Sequence, residues 1–371
     1  MSSRTSTYGG QVDARGSKLY AAGMQKVFVG LSGGVDSAVS AGLLKAQGHN
    51  VIGVFIRIYR PEFIECTWRQ DRLDAMRVCA ALSIPFREID LSEEYKRGVV
   101  DGMLADYAAG VTPNPDALCN RVIKFGAFLS WALQNGADKI ATGHYSQIGE
   151  HDGSFKLLRS TDKNKDQSYF LFRLTQDDLR HTLFPVGGLL KSEVRQMAVR
   201  FDLPVATKRD SQGLCFIGDV SMKDFLARYI PVTPGPVLNT RGQRIGEHHG
   251  AVLVTIGQRH GFMLTGNEAR KPHYVVSIAA DRNEIVVSPN RKDAAVMEVA
   301  LRDLSWVSEL PLEGDRIEVQ ARYREQTVNA TIMRIDDDIR VRFDEPHIAP
   351  PGQSLVVYKS EECIGGGVIR K

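Results

Sequence analysis

The sequence predicts an α/β protein: a doubly wound parallel sheet in the N-terminal half, a small central domain and a C-terminal antiparallel β-barrel. Three observations predict it. Apolar runs of strand length alternate with helical segments up to residue 142, and that alternation builds a parallel sheet covered on both faces. A glycine-rich turn, Ser32–Ser37, separates the first strand from the first helix. Beyond about residue 293 the segments become short and alternating, the pattern of an antiparallel barrel.

The elements follow in order. Residues 26–31 (KVFVGL) predict a short buried strand. Val35, Val39 and Leu43 fall at i, i+4 and i+8, one face of a helix that stops near Gly48. Residues 51–58 predict the second strand, 69–83 a helix ended by Pro85, and 86–91 the third strand. Helices are expected over 92–109 and 120–135, and a fourth strand over 139–142 (KIAT). The texture changes after residue 220, where Pro231, Pro234 and Pro236 punctuate the chain. Strands at 316–323, 328–334 and 339–343 carry the barrel. The expected division is a disordered leader (1–24), a first domain (25–222), a central connecting domain (223–292) and the barrel (293–371).

Composition bounds the function. A chain of 371 residues suggests two or three domains. Hydrophobic residues are 43% and charged residues 25%, as in soluble globular proteins. No apolar run approaches the roughly 20 residues of a membrane span. The net charge of +3, from 47 basic and 44 acidic residues, neither demands nor excludes a nucleic-acid partner, because a basic face can hide in a neutral total. Five cysteines, Cys66, Cys79, Cys119, Cys215 and Cys363, contain no CxxC pair, which argues against a zinc ribbon; the odd number argues against a secreted disulfide framework. The leader has no apolar core for secretion, and Asp13 and its shortness argue against an organellar presequence, so a bacterial cytoplasm is the expected location.

Ser32-Gly33-Gly34-Val35-Asp36-Ser37 is the strongest local signal. Open backbone N–H groups at a glycine turn, followed by a helix N-terminus, make an anion site. Gly33 and Gly34 permit close approach and positive φ, and both serine hydroxyls can donate. Asp36 beside a phosphate is expected to hold Mg²⁺ or cap the helix. No Gly-Lys-Ser/Thr follows, so the loop is not a Walker A motif. It resembles the PP-loop of N-type ATP pyrophosphatases, which implies ATP cleaved to AMP and pyrophosphate.

Two cysteines have unusual neighbours. In TPNPDALCNRVIKF (112–125) a helix is expected to begin near Cys119, where the backbone dipole, Arg121 and Lys124 would favour a thiolate. Asp116 lies three residues earlier, within reach as an acid or base. In KRDSQGLCFIG (208–218) Cys215 follows a polar loop with Lys208 and Arg209. Cys66, Cys79 and Cys363 are expected to be small buried apolar residues.

The strings NPDALCNRVIKF, TGHY (142–145), KDQSYFL (165–171), DSQGLCFIG (210–218), TIGQRHG (255–261), RYR (322–324), RFDEP (342–346) and GGGVIR (365–370) occur in family order. Together they resemble the tRNA-specific 2-thiouridylases from about residue 26 to the end. The resemblance implies that ATP adenylates the C2 oxygen of the wobble uridine of tRNA. Gly30, Leu31, Ser32, Gly33, Gly34, Val35, Asp36 and Ser37 would hold ATP with Mg²⁺, with Ile56 near adenine and Gly143 lining the pocket. Cys215 would carry a persulfide from a sulfur-relay donor protein. Cys119 would release that sulfur, as persulfide or freed sulfide, and leave a Cys119–Cys215 disulfide. Asp116 would be the acid–base. Asn114, Pro115 and Asp116 would touch the target base, and His144, Lys165, Asp166, Gln167, Arg322, Tyr323 and Gln353 would contact tRNA. The protein is expected to act as a monomer. The segment 57–69 departs from the family's usual acidic stretch, and Ile56 stands where the family usually has Met. An amidotransferase-type adenylating enzyme would need a glutaminase domain ahead of the loop; a nucleotide sensor would need neither Cys119 nor Cys215; a thiol redox protein would not need the loop.

Overall fold

The computed structural model describes residues 24–63, 68–210, 220–335 and 338–370. β1 (Lys26–Gly30), β2 (Asn50–Arg57), β3 (Phe86–Asp90) and β4 (Lys139–Ala141) are the expected strands. β5 (Gln147–His151) and β6 (Ser154–Leu158) form a hairpin, and β7 (Thr182–Leu183) is a two-residue strand too short to leave a periodic signal. The parallel sheet has the order β3-β2-β1-β4-β7. Alternate residues of β1 feed two cores: Phe28 packs on one face with Ile52, Val54 and Phe128, while Val27 and Val29 pack on the other with Val39, Val51 and Phe55. That is the period of two that a strand buried on both faces requires.

Helices α1 (Val35–Ala46) and α2 (Trp68–Ala81) lie on the second face, where Cys79 is buried as expected. Burial pushes its thiol up to about 11. Helices α3 (92–108) and α4 (115–134) lie on the first face, and both pass through a π-helical stretch, Lys96–Val100 and Asn120–Phe128. The short α5 (Gln176–Arg180) and α6 (Lys191–Arg200) follow.

After α7 (Met222–Leu226) the chain builds β8 (Gly235–Leu238), β9 (Arg244–His248), β10 (Phe262–Leu264), β11 (Tyr274–Ala279) and β12 (Glu284–Ser288). These form a sheet of order β10-β9-β8-β12-β11 around Val237, Val275, Ile285 and Val287. The last strands are β13 (Val296–Trp306), β14 (Arg316–Gln320), β15 (Val328–Ile335), β16 (Asp338–His347), β17 (Ser354–Lys359) and β18 (Glu362–Ile369). They run β13-β16-β15-β14-β17-β18, and pairing of β13 with β18 closes the barrel. β18 also pairs with β6 through Glu362 and Cys363, so the hairpin β5–β6 extends the barrel sheet. Cys363 is fully buried, and burial raises its thiol far above the ordinary range.

Candidate active site at the carboxyl edge of the parallel sheet

The strand order changes direction between β1 and β4, and open α/β sheets bind ligands outside the carboxyl ends of strands at such a point. The loop Gly30–Ser37 leaves β1 there. Gly33 has φ +75°, and a Cβ on it would lie 2.5 Å from the Asp71 carbonyl oxygen, so both conformation and space require glycine. Gly34, expected to need positive φ as well, has φ −97° and precedes α1 without a side-chain cap. Ser37 Oγ accepts from Ser32 N–H and donates to the Gly34 carbonyl, both at 3.2 Å. Leu31 and Val35 are buried in the core, leaving their backbone to the loop. Ile56 Cδ1 would stand 3.6 Å from a Cβ at Gly30.

Asp36 does not cap the helix. Its carboxylate receives Lys191 Nζ at 2.7 and 2.8 Å and the Tyr145 hydroxyl at 2.8 Å. Gly143 closes the loop from the β4 side: a Cβ there would lie 2.6 Å from Ser37 N and 2.8 Å from the Asp36 carbonyl carbon.

Helix α4 begins at Pro115, not near Cys119. The Asn114 side chain caps it by accepting from Ala117 N–H at 3.3 Å, and proline fits the first helical position, where its missing N–H costs nothing. Asp116 therefore occupies the first turn, and Cys119 lies on the next turn, 4% exposed. The two are three residues apart on one helical face. Burial raises the Asp116 carboxyl above its ordinary value, and Lys124 offsets part of that shift. Arg121, expected to favour the thiolate, pairs with Asp178 at 3.0 Å. Cys215 falls in 211–219, outside the described residues, as does Cys66. Lys208, expected beside Cys215, points to α2 and bonds Asp71 and Asp74 at 2.9 and 2.8 Å.

His144 faces inward. It is 8% exposed, packed against Phe125 and Phe184, with Nδ1 2.7 Å from Thr142 Oγ1 and Nε2 3.3 Å from Lys124 Nζ. Burial, and secondarily Lys124, hold the imidazole neutral. An ammonium can only donate, so Nε2 accepts and the ring proton lies on Nδ1, donated to Thr142. Asp166 pairs with Arg159 at 3.1 Å and accepts from Ser160 and Ser168, and Gln167 Oε1 accepts from Tyr145 N–H at 2.9 Å. Lys165 pairs with Asp210 at 2.8 Å. Each of these side chains, expected as a tRNA contact, also makes a contact within the protein. Likewise Asn114 Nδ2 donates to Ser354 Oγ at 3.1 Å, and Gln353 Nε2 donates to the Thr112 and Pro113 carbonyls, both at 3.0 Å. Arg322 donates to the Ile256 carbonyl at 2.6 Å, and the Tyr323 ring lies 4.4 Å from that of Phe170. Pro115 is buried. Sequence reasoning missed Lys191 and Asp210. A lysine at a helix start has no periodic signature, and only folding brings it 155 residues back to Asp36.

Three family models match consecutive stretches: a tRNA methyl transferase HUP domain over residues 25–219, a tRNA methyl transferase PRC-barrel domain over 223–289 and an aminomethyltransferase beta-barrel domain over 296–369. The tRNA-specific 2-thiouridylase MnmA of Serratia proteamaculans (strain 568) is 45% identical over 357 residues, covering 94% of this chain and 97% of that protein. Its counterpart in Proteus mirabilis (strain HI4320) is 45% identical over 355 residues, covering 93% and 97%. A solved 4-thiouridine synthetase–RNA complex with bound ATP is 16% identical with a TM-score of 0.33, covering 55% of this chain and 50% of that one. With all three family models in order and near-complete overlap with these relatives, the chain belongs to the tRNA-specific 2-thiouridylase family.

Proposed function

We propose that the protein uses ATP to adenylate the C2 oxygen of the wobble uridine of tRNA and then replaces that oxygen with sulfur. The observation that carries this reading is the wall formed by residues 142–144. On one side Gly143 packs against the phosphate loop; on the other His144 bonds Lys124, the cation that acts on Asp116. An anion-binding loop and a proton-transfer carboxyl thus share one partition, as a reaction that both activates and substitutes one base requires.

In the first step the uridine O2 attacks the α-phosphorus of ATP while the N3 proton passes to a base. The bond from the α-phosphorus to the bridging oxygen breaks, and its electron pair leaves with pyrophosphate. Loop N–H groups and the N-terminus of α1 stabilise that charge. Mg²⁺ enters with ATP on the phosphate oxygens. Among the described residues no group of three or more His, Cys, Asp or Glu forms a metal site, and Asp36 is already paired with Lys191. In the second step the terminal sulfur of a Cys215 persulfide, delivered by a donor protein, bonds to C2 and AMP departs with the oxygen. The Cys119 thiolate takes Cys215 Sγ, forming a disulfide that an external thiol must reduce before the next turnover. Asp116, with its raised affinity for a proton, receives the N3 proton in the first step.

The test is 2-thiouridine formation from unmodified tRNA, ATP, Mg²⁺ and a persulfide donor. Cys119→Ser and Cys215→Ser are expected to form no product, while pyrophosphate release continues. Full product from either variant overturns the cysteine roles. Binding of tRNA is expected to weaken steeply with salt, with a slope of about −0.7 to −0.9 per phosphate contact; a flat profile overturns the tRNA ligand.

A further inference from the structure

Lys191 pairs with Asp36 of the phosphate loop, and nothing in the reaction described above uses it. Its ammonium is bracketed by the Asp36 carboxylate at 2.7 Å, the Asp210 carboxylate at 2.9 Å and the face of the Tyr145 ring at 5.7 Å, with the side chain 15% exposed. Asp36 lies in the first turn of α1, where the helix dipole and open N–H groups attract an anion. A carboxylate at that place repels a triphosphate unless a cation stands between them. The surrounding cluster supplies such cations: Lys165, Lys191 and Arg195 face the carboxylates of Asp36, Asp162 and Asp210, three positive charges to three negative. Of the three cations Lys191 alone bonds both Asp36 and Asp210, and it begins α6 with its own N–H fixed by Asp162 at 3.0 Å. Its stem is therefore anchored while its head group sits beside the anion seat.

We infer that Lys191 is a catalytic residue of the adenylation step, contacting the β- and γ-phosphates of ATP and stabilising the negative charge that collects on pyrophosphate as the bond to the α-phosphorus breaks. Asp36 serves to aim it, and Asp210 holds it when no nucleotide is bound. This rests on the proposed adenylation for its place in the reaction, but its binding component does not.

The experiment compares wild type, Lys191→Met and the charge-balanced double variant Asp36→Asn/Lys191→Met. It measures binding of α,β-methylene ATP with Mg²⁺, and pyrophosphate release from ATP in the presence of unmodified tRNA without a sulfur donor. Lys191→Met is expected to weaken analogue binding at least about tenfold and to lower the rate of release by about 10²-fold, with tRNA affinity unchanged. The double variant, which leaves no unpaired carboxylate and so folds whether or not the single variant does, is expected to bind the analogue equally weakly. Wild-type binding in the double variant overturns the inference, because Lys191 would then only neutralise Asp36. Wild-type binding and release in Lys191→Met overturn it too. If wild type binds the analogue in a Lys191-dependent way but releases no pyrophosphate with tRNA, the adenylation reading fails while the phosphate contact stands.

Discussion

Gly143 has no room for a methyl group, because both atoms it would strike, Ser37 N and the Asp36 carbonyl carbon, belong to the backbone of the phosphate loop. They cannot rotate away, so Gly143→Ala must displace the loop. A misplacement of about 1 Å costs about 10²-fold in rate, and that loss is expected in pyrophosphate release, with tRNA binding preserved. Asp116 makes a prediction of the opposite kind. Its carboxyl is held above the ordinary value of 3.8 by burial, so the folded protein binds its proton more tightly than the unfolded chain does. The sign follows from linkage: its contribution to stability is greatest below pH 3.8 and is lost as pH rises through the folded value. Asp116→Asn is therefore expected to abolish thiolation, to raise the melting temperature at pH 7, and to remove part of the loss of stability between acid and neutral pH. An unchanged melting curve at pH 7 would show that the carboxyl carries no burial penalty.

At the scale of the element, α4 shows what was legible and what was not. Its existence followed from periodicity, but its start did not, because Pro113 and Pro115 together suggest an extended loop, whereas Asn-Pro is also a cap followed by a first helical residue. The hairpin β5–β6 carried a sign that went unread: Asp152-Gly153, both with positive φ, between two five-residue strands. The phosphate loop was legible because glycine turns act locally, while Lys191 and the inward turn of His144 depend on contacts that sequence distance conceals. The same element yields a prediction. The loop ahead of α4 is braced by the barrel, through Gln353 on the Thr112 and Pro113 carbonyls and Ser354 on Asn114. Gln353→Ala is expected to lower the thiolation rate while tRNA affinity changes less than twofold; a large loss of affinity with an unchanged rate would favour the direct tRNA contact that the family resemblance implies.

The whole molecule is less divisible than its order of sheets implies. Sequence texture alone divides the chain into a first domain, a connecting domain and a barrel. In the fold, Val356, Tyr358 and Cys363 of the barrel share one core with Leu157, Tyr169 and Phe172 of the N-terminal half, all at 2% exposure or less. The Tyr169 hydroxyl donates to the Ala321 and Ser354 carbonyls at 3.2 and 3.0 Å, and β6 adds its edge to β18. A chain ending at residue 295 would uncover three large apolar side chains and an unpaired strand edge. At about 2 kcal/mol per side chain the apolar loss alone is about 6 kcal/mol, comparable with the whole stability of a typical domain. An exposed edge strand also templates aggregation. That truncated protein is expected to show no cooperative unfolding transition and to aggregate, whereas the full chain unfolds its parallel sheet and barrel in one calorimetric step. A fragment melting within a few degrees of the intact protein would mean that the shared core contributes little, and that the barrel's hold on the loop before α4 is correspondingly loose.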